Sequence, residues 1–389
     1  MIVTCSHQAG HTYRFLFLVV FAAMLGHGIL LPVLPIYAQG LGATGLWIGI
    51  IFSGYSFSRA VLMPAIGRLS DYSDRKTIII AGLVLYTLFS VLYFAAGSPQ
   101  SLALLRFLHG FASAMVVPVA IAFAADQAPP SKEGEYMGTF VISFLMGIGL
   151  GPFIGGILYD RAGGMGAVFG SMTLLSACAL IICLLLPPSP GTIRSPPPIR
   201  QIIRQKAMAA PLFFQLVASF LTAVFIAYFP LLAKNAASPL SAGQIGIILS
   251  ANLIVTAALQ NNFGKIADRR DKRFFLGGGL LVIAATLAIL PFHTTFPECL
   301  VAAVLLGTGA GISIPAAIAL MTIAGRTTGQ GSAMGAYVTI IGIGMMIGPV
   351  AGGIVYDSLG LPAVFIVSAV ISFLAVPVTV LLAPPPADT

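Results

Sequence analysis

The chain alternates between long apolar runs and short polar breaks. The runs are roughly 20 or more residues long, the length an α-helix needs to cross about 30 Å of hydrocarbon. They fall at 13–38, 46–67, 77–97, 100–125, 136–159 and 165–187, then at 211–233, 243–264, 274–292, 297–323, 332–356 and 361–383. The pattern predicts twelve membrane-spanning helices, six on either side of a polar stretch near the middle. Residues 1–12 then form a tail, 13–187 a first six-helix bundle, 188–210 a linker, 211–383 a second bundle and 384–389 a closing tail. The expected fold class is an all-α membrane protein of two pseudo-symmetric six-helix bundles.

The two halves are copies of one another. GRLSDYSDRK at Gly67–Lys76 recurs 197 positions later as GKIADRRDKR at Gly264–Arg273. The same offset carries Asp71 onto Asp268, Asp74 onto Asp271, Gly110 onto Gly307, Pro118 onto Pro315, Gly151-Pro152 onto Gly348-Pro349 and Asp160 onto Asp357. A constant offset over half the chain means duplication with no net insertion between these landmarks. With six spans per half, both charged hairpins lie on one membrane face. Of the 19 Lys and Arg residues, fifteen fall on that side, Arg161 and Lys234 on the other, and Arg59 and Arg106 within spans. Basic residues accumulate on the cytoplasmic side, so both termini are expected there, in a bacterial-type inner membrane.

Composition agrees and narrows the classes. A chain 58% hydrophobic and 8% charged, with mean hydropathy +1.01, cannot hide its apolar surface in a water-soluble core. Its net charge of +8 would suit a nucleic-acid partner if clustered on one fold; distributed as above it is a topology signal. The first apolar run is too long for the core of a cleavable signal and lacks a small-residue cleavage pattern, so it reads as a retained span. Cys5, Cys178, Cys183 and Cys299 have no metal-ligand spacing. No phosphate-cradling G-x-x-x-x-G-K-[ST] loop occurs and no nucleophile–base pair stands out. Neither an enzyme, a metal nor a cofactor is indicated. The linker combines proline density with the basic, apolar-punctuated IRQIIRQK, which suits either a solvated connection or a segment lying on an anionic leaflet.

The pattern G-x-x-x-D-x-x-D-R-K at Gly67–Lys76 resembles the loop signature of the major facilitator superfamily of secondary transporters, and the resemblance covers essentially the whole chain. It implies two bundles related by a pseudo-two-fold axis along the membrane normal, a substrate site between them near mid-membrane, and alternating access by rocking. It assigns a conformational latch to Asp71, with Gly67, Arg75 and Lys76; Asp268 is its repeat, in a copy that departs by carrying Lys265, Arg269 and Arg270. Gly67 is expected to let backbones come close. In the fifth span Gly147, Gly151 and Gly155 fall four apart, beside Pro152 and Gly156; in the eleventh Gly344, Gly348 and Gly352 do so, beside Pro349 and Gly353. Four-residue spacing lines one helix face with small residues for close packing, and each proline removes a backbone donor and bends the helix. GIGLGPFIGG resembles the family's antiporter signature, associated with drug:proton exporters.

GHGILLPVLP, Gly26–Pro35, is similar to the first-helix motif of the twelve-span drug exporters, with His27 where an acid is common. All eleven Asp and Glu residues map to loops, span ends or tails, and the deep ionisable groups are His27, Arg59, Arg106 and His109. Such groups cost several kcal/mol in hydrocarbon and face a partner or a water-filled cavity. Arg106, His109 and Gly110 share one helix face and resemble the family's R-x-x-x-G motif, whose arginine is implicated in proton transfer. A histidine titrates near neutral pH, so His27 or His109 is either a proton carrier or a fixed interhelical hydrogen-bonder. In the second half Asn252, Thr256 and Gln260 recur every four residues as a stripe expected to face the interior, and Phe225, Tyr228 and Phe229 add aromatic surface. The implied function is proton-coupled efflux of hydrophobic or amphipathic small molecules by a monomer in the lipid bilayer. The alternatives are export of an anionic metabolite or lipid through the Arg59/Arg106 cavity, or a receptor or scaffold that transports nothing.

Overall fold

The computed structural model describes the backbone of residues 2–128, 133–189, 206–293, 295–328 and 330–383, and side chains from Thr12 onward within these segments, excepting 133–135, Lys206, Asp268, 326–328 and 330–332. All regular structure there is helical: α1 Ile2–Leu30, α2 Leu34–Gly40, α3 Gly45–Tyr72, α4 Arg75–Leu92, α5 Pro99–Asp126, α6 Glu133–Arg161, α7 Met165–Leu184, α8 Lys206–Lys234, α9 Ala242–Asp268, α10 Lys272–Ile289, α11 Phe296–Thr328, α12 Gln330–Leu359 and α13 Leu361–Leu382. Among the described residues, twelve helices are long and apolar enough to cross a membrane.

Two differences from the hydropathy reading bear on the site. The run 13–38 is not one helix: α1 stops at Leu30, a turn covers Leu31–Val33 and α2 starts at Leu34. Pro32 cannot donate to a helical carbonyl, and Pro35 takes the first turn of α2, where no donor is needed. The second span does not end at Gly67. It continues as helix to Tyr72, so that most of the charged hairpin is helical and only Ser73 and Asp74 separate α3 from α4. Helix starts follow local chemistry. Asp74 caps α4 by accepting from the Thr77 N–H, and α5 and α9 begin with reciprocal caps, Ser98 with Ser101 and Ser241 with Gln244. Gly163 and Gly360, 197 positions apart, turn the chain into α7 and α13 with φ of 107° and 86°, values only glycine adopts without strain.

The chain divides into two compact units, one holding Met1–Gly42 and Gly54–Arg194, the other Ala43–Ser53 and Ser195–Thr389. Unit 1 packs α1 against α6 and α7, and α4 against α5 and α7. Unit 2 repeats the scheme with α8 against α12 and α13, and α10 against α11 and α13. The duplication seen in sequence is thus a duplication of packing. In unit 1 the core includes Leu16, Val19, Leu83, Val116, Phe123, Phe140 and Ala179, from α1, α4, α5, α6 and α7. Lipid tails are as apolar as leucine, so close packing rather than expulsion from water must hold these helices together. The glycine stripes supply it. A Cβ on Gly151 would stand 2.5 Å from Gly28 Cα, and one on Gly147 2.8 Å from Met24 Cβ, both on α1. On α12, a Cβ on Gly344 or Gly348 would stand 2.6 Å from a carbonyl oxygen of α8, Leu216 and Phe220 respectively.

Candidate functional site

The charged hairpin is anchored inside unit 1. Arg75 is only 3% exposed. It forms an ion pair with Asp126 at the end of α5 and donates from Nη1 to the Ala122 carbonyl at 2.7 Å. Lys76 donates to the Leu184 carbonyl that ends α7, at 2.9 Å, and to that of Leu186 just beyond it, where a cation also meets the negative end of the helix dipole. The Ser189 N–H donates to Asp74 Oδ1 at 2.6 Å. Burial pushes the Asp74 carboxyl up, but hydrogen bonds from Thr77 and Ser189 outweigh it and leave the group below the ordinary carboxylate range. Asp71 lies on the margin of this network, 3.8 Å from Arg75. Among the described residues nothing comes within 4 Å of a Cβ built on Gly67, and α3 carries on past it to Tyr72. Asp268 ends α9, and its side chain lies outside the described residues.

A second cluster sits deep in unit 1. His27 of α1 stacks on Tyr55 of α3, ring centroids 4.4 Å apart and 22° between planes. The Arg106 guanidinium of α5 lies 4.5 Å over the same Tyr55 ring, a cation–π geometry that gains strength where water is absent. Tyr86 of α4 meets His109 edge-on at 3.9 Å, and Tyr55 and Tyr93 approach the same imidazole at 6.1 and 5.8 Å. Tyr55 is fixed by donating to Ser113 Oγ at 2.9 Å, and Tyr86 by donating to the Ala23 carbonyl at 3.2 Å. His27, Arg106 and His109 are 7%, 2% and 0% exposed. Neither ring nitrogen of His109 has a hydrogen-bond partner among the described residues, nor do Nδ1 of His27 and Nε of Arg59. Gly110 makes the cluster possible: a Cβ there would overlap the Tyr55 carbonyl.

The structure brings His27, Arg106 and His109 together and adds Tyr55, Tyr86 and Tyr93, which sequence reasoning missed. The duplication held a signal for Tyr55. Its position 197 residues on is Asn252, whose carbonyl lies against Gly307 as that of Tyr55 lies against Gly110. Asn252 and Thr256 do not project as a free polar stripe. Asn252 Nδ2 donates to the Ala303 carbonyl at 3.2 Å, and Thr256 Oγ1 lies 2.8 Å from the Asn252 carbonyl and 3.2 Å from that of Gly307. They spend their polarity joining α9 to α11. Tyr228 is buried, its hydroxyl within hydrogen-bonding reach of the Gly45 and Pro349 carbonyls. Pro152 and Pro349 lie inside α6 and α12 without ending them, and Gly155 and Gly353 continue the tight seams, a Cβ on either overlapping a backbone carbonyl. Gly156 is buried beside them and Gly352 lies against the Tyr228 ring. No group of three or more metal-ligating side chains occurs among the described residues.

Among the described residues, twelve apolar helices in two repeated units, with acids at helix ends and caps and one buried cationic–aromatic cluster, define an integral membrane protein of the secondary-transporter class. The family description Major Facilitator Superfamily matches residues 16–237 and 211–389. The chain belongs to that family. It is 31% identical over 367 residues to the uncharacterized MFS-type transporter MJ1560 of Methanocaldococcus jannaschii, covering 92% of this chain and 94% of the relative. It is 28% identical over 345 residues to the quinolone resistance protein NorA of Staphylococcus aureus, covering 87% and 88%. Among solved structures, the nucleoside transporter NupG superposes with a TM-score of 0.79 at 17% identity, over 95% of this chain and 98% of that one. A bacterial homolog of the human lysosomal transporter Spinster does so with 0.80 at 14%, over 97% and 99%. These last two likenesses are of fold. The archaeal relative and both solved structures are named for transporters.

Proposed function

We propose that this protein exports hydrophobic or amphipathic compounds across a bacterial-type inner membrane by alternating access, in exchange for protons, as a monomer with both termini cytoplasmic. The observation that carries the reading is the burial of His27 and His109 in the spans of unit 1, while every described Asp and Glu sits at a helix end or cap. A proton that crosses with the transport cycle needs a group that changes charge near neutral pH inside the membrane, and imidazole is the side chain that does so. The likeness to NorA supports the substrate class. Asp71 serves as the latch and the Gly147–Gly156 and Gly344–Gly353 stretches as hinges.

Efflux of cationic and anionic dyes from drug-hypersensitive cells, with and without a protonophore, tests this. The expected result is protonophore-sensitive efflux, reduced at least tenfold by His109→Gln or His27→Gln, with membrane levels of protein unchanged. Efflux indifferent to the protonophore would overturn the coupling. A second reading, export of an anionic metabolite or lipid, is favoured by Arg59 and Arg106 lying inside spans whose described acids, Asp71 and Asp126, stand at the helix ends, and efflux confined to anionic dyes would select it.

A further inference from the structure

The two charged hairpins share a scaffold and differ in what their bases touch. In both, an aspartate caps the following helix, Asp74 for α4 and Asp271 for α10. In both, a base donates to a carbonyl just past the unit's last helix, Lys76 to Leu186 and Arg273 Nη2 to Ala383, the latter at 2.8 Å. The remaining positions diverge. Arg75 is neutralised by Asp126; 197 residues on stand Lys272 and Ile323, and Ile323 is 48% exposed. Tyr72 and Ser73, where α3 gives way to α4, become Arg269 and Arg270 in the turn between α9 and α10. Thr77, whose hydroxyl donates to Asp74, becomes Phe274, the third residue of α10 and 79% exposed. Lys265, Arg269 and Arg270 are exposed, and no ion pair to any of them occurs among the described residues. Gly264–Arg273 carries five bases against two acids, where Gly67–Lys76 carries three against two.

We propose that the α9–α10 turn binds the headgroup of an anionic phospholipid, its phosphate held by Arg269 and Arg270 between Lys265 and Lys272, and an acyl chain lying against Phe274. Adjacent guanidinium forks match the oxygens of a phosphate. A free anion would need only those charges. Phe274 offers nothing to a soluble phosphate, but it is an exposed ring at the start of a membrane-crossing helix, beside the bases, where the chains of a bound lipid begin. Charge and apolar surface together select a lipid. The turn belongs to the face on which the bases of the chain gather, and each base near an anionic leaflet adds about fivefold to the attraction. One copy of the hairpin thus spends its bases inside the protein, and the other turns them outward to the membrane surface. The inference stands whatever the substrate and the coupling ion are.

Fluorescence quenching by brominated lipids tests this in the whole chain. With the single tryptophan replaced by Trp47→Phe, Phe274→Trp reports from the site, and Tyr72→Trp, at a position 72% exposed in unit 1, is the control. The vesicles mix phosphatidylcholine with phosphatidylglycerol, and the bromines sit on the acyl chains of one lipid or the other. Phe274→Trp is expected to prefer phosphatidylglycerol about tenfold or more, and Tyr72→Trp about twofold or less. Adding Arg269→Gln/Arg270→Gln should cut the preference at Phe274→Trp about fivefold or more. About 1 M salt, which screens charges beyond about 3 Å, should do the same without any change of sequence at the arginines. Arg14→Gln/Arg68→Gln, which removes two exposed bases from unit 1, should leave it unchanged. Equal preference at the two reporters, or none at Phe274→Trp, would overturn the site. So would an equal fall with Arg14→Gln/Arg68→Gln, which would reduce it to the overall positive charge of the protein. Abolition by inorganic phosphate at constant ionic strength would also overturn it, by making the turn a site for the free anion.

Discussion

Arg75 and Asp126 show how a residue singled out in sequence acquires its meaning from one that was not. A guanidinium 3% exposed must be neutralised where it lies, and Asp126 does so from the far end of α5. The arginine was legible because it sits in a repeated motif. Its partner was not, because a lone acid 51 positions away carries no periodicity. Removing one member of a buried pair strands the other, at a cost of about 3 kcal/mol. Asp126→Ala is therefore expected to lower the thermal unfolding midpoint in detergent markedly, while the double variant Arg75→Leu/Asp126→Leu recovers much of the loss. If the single and double variants melt alike, the pair is not what anchors the hairpin. His27, Arg106 and His109 were legible as unusual charges in apolar runs. Tyr55, which binds two of them, was hidden because a tyrosine in a span looks like any other aromatic.

Hydropathy found all twelve helices because it registers the hydrocarbon thickness each must cross. It missed the break at Leu31–Val33 and the helical path through Gly67–Tyr72, since those depend on proline geometry and capping rather than on polarity. The glycine stripes were read correctly as one face, but the spacing could not say which neighbour the face meets. The structure gives α1 to α6 and α8 to α12, and with it a graded expectation. Gly151→Leu must push apart two backbones now in contact, and over-packing of this kind costs about 1–3 kcal/mol or more. Gly138→Leu and Gly166→Leu, where a Cβ meets nothing within 4 Å, should melt within a degree or two of the parent. Equal destabilisation at all three positions would mean that helix propensity, not the α1–α6 seam, sets the effect.

At the scale of the molecule, the duplication made the division into two repeated packing schemes predictable, but not the assignment of Gly45–Ser53 to unit 2. An offset relates equivalent residues and says nothing about which surface a helix end meets. The same distinction makes Asp71 an informative residue. It stands 3.8 Å from an arginine whose main partner is Asp126, on a half-exposed helix end, and an ion pair of that length near the surface is worth at most about 1 kcal/mol. Asp71→Asn should then leave expression and the unfolding midpoint close to those of the parent. A latch acts on the balance between transport states, so the same variant should cut dye efflux at least tenfold if Asp71 holds one of them. The combination of intact fold and lost transport is what separates a latch from a structural acid. Normal efflux by Asp71→Asn would remove the latch from this position, and a large fall in stability would show that Asp71 belongs with Asp126 in anchoring Arg75.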